Sequence, residues 1–355
     1  MRDIAASGVR ARQNVRVKDD YLRWVLDGKD YLVFDGAMGT MLQRSDLQAG
    51  EAPDLLCLSN PEAITAIHRA YVEAGSQVIT TNTFGANARK LDGAASVDEV
   101  FAAAVQCARE SGARYVAADI GPTGELLYPM GDLDFSEAYD LFAEQAVAAQ
   151  RAGADLVIIE TMADLLEMVA AVLAVMDSCD LPVFATMTFT ATGRTFLGCA
   201  PDACALALAL LGVDALGVNC SAGPSDLQPV VYEMLRVSPV PIIVQANAGL
   251  PQVVDGQTVY SLAPDAYAAA VLPMIERGAQ VVGGCCGTDE GFIASVAKLV
   301  DGRTAQGPSV DYAEAIELAR EITAEDESRD AEIIEMILEA PDRASLKQAL
   351  IEEYE

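Results

Sequence analysis

The chain has 355 residues, of which 52% are hydrophobic and 21% charged, and its formal net charge is −30. That acidic surplus repels nucleic acid and anionic membrane surfaces, and no apolar run reaches the ~18 residues of a membrane span. Nucleic-acid and membrane partners are therefore excluded. The length allows two average domains, although an α/β barrel often takes roughly 250 residues as one. Eight cysteines in a chain of this size argue against a disulfide scaffold, so a reducing cytoplasm is the default location.

In chain order, residues 1–29 lack an apolar signal core but hold seven basic residues: Arg2, Arg10, Arg12, Arg16, Lys18, Arg23 and Lys29. A transit peptide would look similar. The reading adopted is a solvated lead-in helix. Eight short runs rich in Val, Ile and aromatics follow: Tyr31–Phe34, Gln77–Thr81, Tyr115–Ile120, Leu156–Glu160, Val183–Thr188, Ala215–Cys220, Pro241–Ala246 and Gln280–Gly283. Helical patterns lie between and after them, near 61–74, 96–112, 135–152, 164–178, 201–212, 225–236, 264–277 and 289–300. Several of these helices stop at glycine, as in Glu73-Ala74-Gly75 and Arg151-Ala152-Gly153, the usual left-handed C-terminal stop.

Eight near-continuous apolar strands alternating with helices predict a closed parallel (β/α)8 barrel. An open doubly wound sheet is the runner-up, and no GxGxxG follows its first strand. The barrel, with its lead-in, spans residues 1–302. Asp301 to Pro308 read as a linker, and residues 303–355 as linker plus an acidic helical tail. From residue 311 onward the tail has fifteen acidic and four basic residues. Ile333, Ile334, Ile337 and Leu338 share one helical face, and Leu346, Leu350 and Ile351 share another. Two or three short amphipathic helices are predicted, packed on the barrel or on a partner.

Barrel enzymes carry their chemistry on the loops after the strands. Polar residues cluster there: Asp35, Thr81-Asn82-Thr83, Asp119, Glu160-Thr161, Asn219-Cys220, Asn247 and Cys285-Cys286. Cys220 ends the sixth run, and the vicinal pair follows the eighth between glycines, in Gly283-Gly284-Cys285-Cys286-Gly287. The ends of strands six and eight are one strand apart, within reach of one ion. Three thiolates can hold Zn²⁺ and leave its fourth tetrahedral position open, the arrangement of a catalytic site. Alone, Cys220 would read as a buried core residue. The other five cysteines read as core or surface residues. His68, the single histidine, sits in a helix away from any strand end and reads as a packing or capping residue, so imidazole base catalysis is excluded. Asp35 and Glu160 suit either an acid/base pair or the binding of a substrate ammonium. The glycines after strands seven and eight could instead cradle a phosphate.

The motifs Asp35-Gly36-Ala37-Met38-Gly39-Thr40, Thr81-Asn82-Thr83-Phe84, Ile120-Gly121-Pro122-Thr123-Gly124, Ile159-Glu160-Thr161, Asn219-Cys220 and Gly283 to Gly287 together resemble the homocysteine S-methyltransferase family over about residues 28–302. Their wording is most similar to the homocysteine-binding module of cobalamin-dependent methionine synthase, and less so to betaine–homocysteine methyltransferase. The resemblance implies a (β/α)8 barrel and zinc on Cys220, Cys285 and Cys286. It also implies that Glu160 holds the homocysteine amino group and that Asp35 lies near the bound amino acid. Roles in substrate binding for Thr81, Asn82 and Asn247 follow more loosely. Three thiolates on Zn²⁺ carry one excess negative charge, which keeps an incoming sulfur nucleophilic toward an electrophilic methyl group. Methionine synthase carries further folate- and cobalamin-binding modules, for which this chain has no room, so the methyl donor is expected from outside. A methyl-corrinoid protein is the leading expectation, and a sulfonium or quaternary ammonium donor such as S-methylmethionine or betaine the second. Methylation of another thiol is a further variant. A non-enzymatic alternative is a thiol-binding docking subunit with the acidic helices as its interface.

Overall fold

A computed structural model describes residues 17, 19–44, 52–254, 257–324 and 326–355. Eight parallel strands form one sheet in the order β1-β10-β7-β6-β5-β4-β3-β2. They are β1 (Leu32–Val33), β2 (Val78–Thr80), β3 (Tyr115–Ile120), β4 (Leu156–Met162), β5 (Val183–Met187), β6 (Ala215–Cys220), β7 (Ile242–Ala246) and β10 (Ala279–Gly284). A parallel bridge between Phe34 and Val78 brings the first strand back to the second and closes the barrel. A small antiparallel hairpin, β8 (Gln252–Val254) with β9 (Gln257–Val259), stands in the connection after β7 and was not anticipated. Its strands have only three residues each, too few for their alternation to stand out from the loop.

Each barrel strand alternates between two cores. Inside the barrel lie Leu32, Phe34, Val78, Tyr115, Ala117, Leu156, Ile158, Phe184, Ala215, Ile243 and Val281. Their out-of-phase neighbours, such as Val116, Ala118, Val157, Ile159, Val183 and Ala185, pack outward against the helices. Both faces are apolar because both are covered, which is why these strands read as continuous hydrophobic runs.

The lead-in differs from the solvated helix expected. Residues 1–16 lie outside the described residues. The helix Asp20–Leu26, however, turns Leu22 and Val25 into the barrel's inner core together with Val17. The Asp19 side chain caps its N-terminus at Leu22 N, 2.8 Å away, and Trp24 is left on the exposed face. The helix is amphipathic and plugs the N-terminal end of the barrel, where strand ends would otherwise expose their inward side chains to water.

Three tail helices, Tyr312–Thr323, Arg329–Glu339 and Arg343–Glu353, pack on the barrel's own outer helices. They explain two of those helices. Leu165–Ser178 and Pro201–Leu211 are apolar on nearly every side and buried nearly throughout. A helix that is hydrophobic all round needs a second cover, and the tail supplies it. Ile333, Ile334, Leu346 and Leu350 are buried in that contact, and the Lys347 ammonium lies 3.3 Å from the centre of the Tyr139 ring. Among the described residues no helix is long and apolar enough to cross a membrane.

The plug carries its own prediction. Leu22 is 2% exposed inside the barrel's inner core. Leu22→Ala should therefore cost about 2–5 kcal/mol of unfolding free energy, read as a fall in the urea midpoint. An unchanged midpoint would show that the plug is not part of the cooperative core.

Candidate metal centre

The inward phase of each strand continues past the apolar core to its C-terminal end. Counting by twos from the inner-core residues reaches Thr80 on β2, Asp119 on β3, Glu160 on β4, Thr186 on β5, Asn219 on β6, Gln245 on β7 and Cys285 just beyond β10. These residues form the floor of the barrel mouth.

The thiols of Cys220, Cys285 and Cys286 meet there, all within 4.8 Å of one another, and Cys220 Sγ lies 3.9 Å from Cys286 Sγ. Tetrahedral zinc with bonds of ~2.3 Å places its sulfur ligands about 3.8 Å apart, so the donor set and its spacing fit one such ion. Two backbone features bring the sulfurs together. Cys220 and Ser221 both take positive φ, +56° and +66°, which turns the chain sharply at the end of β6. Phe189 N donates to Ser221 Oγ at 2.8 Å and fastens that turn to the next loop. After β10, Cys285 N donates to Ala246 O at 2.8 Å and Thr288 Oγ1 donates to Cys285 O at 2.7 Å. A Cβ on Gly287 would stand 2.2 Å from the Tyr260 ring, so only glycine lets the cysteine loop pass under that tyrosine. The glycines before the pair are equally committed. A Cβ on Gly284 would meet Thr288 Oγ1 at 2.4 Å, so Thr288 packs directly against the glycine backbone.

Asn219 joins the thiols to the acids. It is fully buried. Its Oδ1 accepts from Thr161 N and from Thr186 Oγ1, each at 2.9 Å. Its Nδ2 donates to Glu160 Oε2 and to Thr161 Oγ1 and lies 3.8 Å from Cys285 Sγ. Thr161 has a φ of +62°, costly for a β-branched residue, and the Asn219 bonds hold it there.

Three carboxyls share the floor. Asp35 receives Thr80 N and Thr80 Oγ1, both at 2.8 Å. Burial nevertheless pushes its pKa up to about 7, and the charge of Glu160 adds to the rise. Burial also raises Glu160 to about 7, while a hydrogen bond with Asp119 works the other way. Asp119 is driven well above the usual carboxylate range, first by burial and then by the Glu160 charge, and its Oδ1 is buried without a partner. The thiols divide similarly. Hydrogen bonds from Cys285 and Cys286 hold Cys220 down at about 3, and the same interactions push Cys285 up and Cys286 to about 11.

The other singled-out residues separate. Asn247 faces Cys220, and its Oδ1 is buried without a partner. Thr81 and Asn82 serve the loop. Thr81 Oγ1 accepts from Asp119 N at 3.0 Å, and Asn82 Nδ2 donates to Pro53 O at 2.7 Å. His68 is fully buried, with both ring nitrogens unpartnered, and burial lowers its pKa to about 3, so it stays neutral. Cys57, Cys107, Cys179, Cys199 and Cys204 are buried in the core. Asp119 and Asn219 were placed at strand ends from sequence but given no role there, and Tyr260, whose hydroxyl contacts Cys286, was not singled out at all. Strand parity could have added that the first two point inward. Nothing local marks Tyr260.

Residues 32–300 match the family model of the homocysteine S-methyltransferases, three-quarters of the chain. The chain belongs to the homocysteine S-methyltransferase family. Relatives within reach include the methionine synthase of Mycobacterium tuberculosis, 36% identical over 292 residues, covering 76% of this chain and 24% of that one. That of Mycobacterium leprae is 34% identical over 303 residues, covering 78% and 25%. The chain thus spans about a quarter of the length of these relatives. The metallated form of the Escherichia coli homocysteine methyltransferase MmuM shares the fold, with a TM-score of 0.66 at 22% identity, over 78% of this chain and 99% of that one. The family match stops at residue 300, short of the three tail helices.

The buried acids give a signed pH dependence. Asp35 binds its proton at about 7 when folded, against 3.8 for the ordinary group. Between those values the folded state holds more protons than the unfolded chain, so stability falls as pH rises from about 4 to about 7 and is flat above. Asp35→Asn should flatten part of that slope in urea midpoints measured across the range. A parent and variant with parallel slopes would refute the assignment.

Proposed function

We propose that this chain is a zinc-dependent thiol S-methyltransferase that converts homocysteine to methionine, with Cys220, Cys285 and Cys286 holding the metal. The observation that carries the reading is the bridge at Asn219. One amide nitrogen reaches both Glu160 and Cys285, so the thiol trio and the carboxyl cluster stand one short side chain apart. A small amino acid with a terminal thiol and an α-ammonium spans that gap, sulfur toward the cysteines and nitrogen toward Glu160, with Asp35 and Asp119 adding negative field. Bound there, zinc supplies a Lewis-acid position at which a thiol of pKa ~8.5 ionises at neutral pH.

The protein's own part is orientation. Asn219 fixes the Glu160 carboxylate, Thr161 fixes the loop behind it, and Asn247 presents an unpartnered oxygen beside Cys220. The sulfur of the acceptor attacks the methyl carbon in line, forming the S–C bond as the bond from that carbon to the donor breaks. The methyl moves without its bonding pair, which stays on the donor, and the thiol proton is released.

For the donor we propose a methyl-corrinoid protein. Its support is the rim of the mouth. Phe84 after β2, Leu126, Tyr128 and Met130 after β3, Phe196 after β5, and Leu250, Val253 and Val259 after β7 are large, apolar and exposed. A small sulfonium or betaine-type donor has no use for so wide an apolar rim, whereas a protein-borne donor buries it. Eight cysteines without a disulfide among the described residues suit a reducing compartment such as the cytoplasm.

Purified protein should hold about one zinc per chain, as the three-thiolate donor set implies. Metal analysis of Cys286→Ser should show most of it lost, and full retention would remove Cys286 from the site. In a donor panel, methionine should form with methylcobalamin or a methyl-corrinoid protein and not with S-methylmethionine or betaine. Activity confined to the small donors would overturn the corrinoid assignment, and full zinc loading with no transfer from any donor would favour a docking role.

A further inference from the structure

The C-terminal helices lie outside the family-matched span, yet one of them reaches the mouth. Arg329, in the first turn of Arg329–Glu339, pairs with Asp164 Oδ1. Asp164 is buried and Arg329 partly so, with side-chain exposures of 3% and 19%. Asp164 is the N-cap of Leu165–Ser178, where the same Oδ1 accepts from Leu166 N at 3.2 Å. It follows the end of β4 by two residues, and β4 carries Glu160 and the left-handed Thr161. The next tail residue, Asp330, contacts Cys199 at the end of the loop after β5. One helix start thus holds two mouth loops. A second tail anchor, Arg343 Nε with Asp177 Oδ1 at 2.8 Å, grips the opposite end of Leu165–Ser178, away from the mouth.

We propose that Arg329 is a positioning residue for thiol binding: through Asp164 it sets where Glu160 and Thr161 stand, so the C-terminal helices brace the mouth as well as covering the core. A buried carboxylate is unforgiving of a lost partner: without Arg329 the Asp164 charge stays desolvated, and its segment must move to reach water. Between Asp164 and the end of β4 lies one residue, Ala163, so movement at Asp164 is passed to β4 over a short link.

The inference rests on the proposed reaction for its kinetic part only. The test compares Arg329→Ala, Arg329→Lys, Asp164→Asn and Arg343→Ala in the full chain loaded with zinc, by steady-state kinetics and by hydrogen exchange. Arg329→Ala should raise KM for homocysteine about tenfold with kcat within about twofold, since displacement of a binding group by a fraction of an ångström acts on substrate binding. It should also speed exchange across residues 158–166 while zinc content holds. Arg329→Lys should recover most of the KM. Asp164→Asn keeps a capping side chain but loses the charge, and should repeat the effect if Arg329→Ala fails to fold. Arg343→Ala should loosen only residues 343–355. The brace is refuted if faster exchange in Arg329→Ala stays within the tail, or if its KM matches that of Arg343→Ala. Should the parent transfer no methyl group to homocysteine, the functional reading falls and the exchange result alone decides the brace.

Discussion

Everything at the mouth depends on the alternation of side chains along eight parallel strands. A residue two positions beyond an inner-core side chain must also point inward, and at the C-terminal end of a strand that direction leads into the mouth. Asp119, Glu160, Thr186, Asn219 and Cys285 all stand in that phase. Their convergence is thus a property of the barrel, and the local turns only complete it. Moving one strand by a single residue would turn its mouth residue into the helix layer and replace it with an apolar one.

Within that frame Asn219 couples the two chemistries. A buried carboxamide has two donors and two acceptor lone pairs, and here both ends are engaged. The oxygen holds the backbone and hydroxyl groups of neighbouring strands, and the nitrogen holds the carboxylate and reaches the thiols. The positive φ values at Thr161, Cys220 and Ser221 are the backbone cost of aiming these groups. Such strain persists only where surrounding bonds over-determine it, and the bonds of Asn219 and Ser221 do so. The carboxyls crowd together for the same reason: the barrel brings three strand ends together regardless of charge, and burial then drives their proton affinities up.

The two ends of the barrel are treated differently. The N-terminal end is sealed by the apolar face of the lead-in helix, and the acidic tail covers the flank formed by the two most apolar helices. The C-terminal end is left open, with its apolar side chains on the rim and its polar ones on the floor. An outward-facing tail rich in acid is compatible with an inward-facing row of Ile and Leu because a helix separates the two by half a turn.

Much was legible in the chain before it folded. Eight apolar runs between helical patterns indicated the barrel, because strands buried on both faces must be continuously hydrophobic. The glycine-flanked Cys285-Cys286, with Cys220 at another strand end, marked the thiol trio, because vicinal cysteines in a tight turn have few other uses. Glu160 and Asp35 stood out as lone acids closing apolar strands. Tertiary structure decided what depends on distant partners. Asn219 and Asp119 are ordinary residues until neighbouring strands supply Glu160, Thr161 and Thr81. Asn82 reads as a mouth residue, and its amide nitrogen donates to Pro53 O, 29 positions away, a partner that only the fold supplies. The amphipathic lead-in could have faced water or a core, and only the open barrel end selected the core. Arg329 is one of many arginines until folding sets it against the buried Asp164, 165 residues earlier. Local pattern specifies which face a residue takes, and only the closed barrel specifies what it meets there.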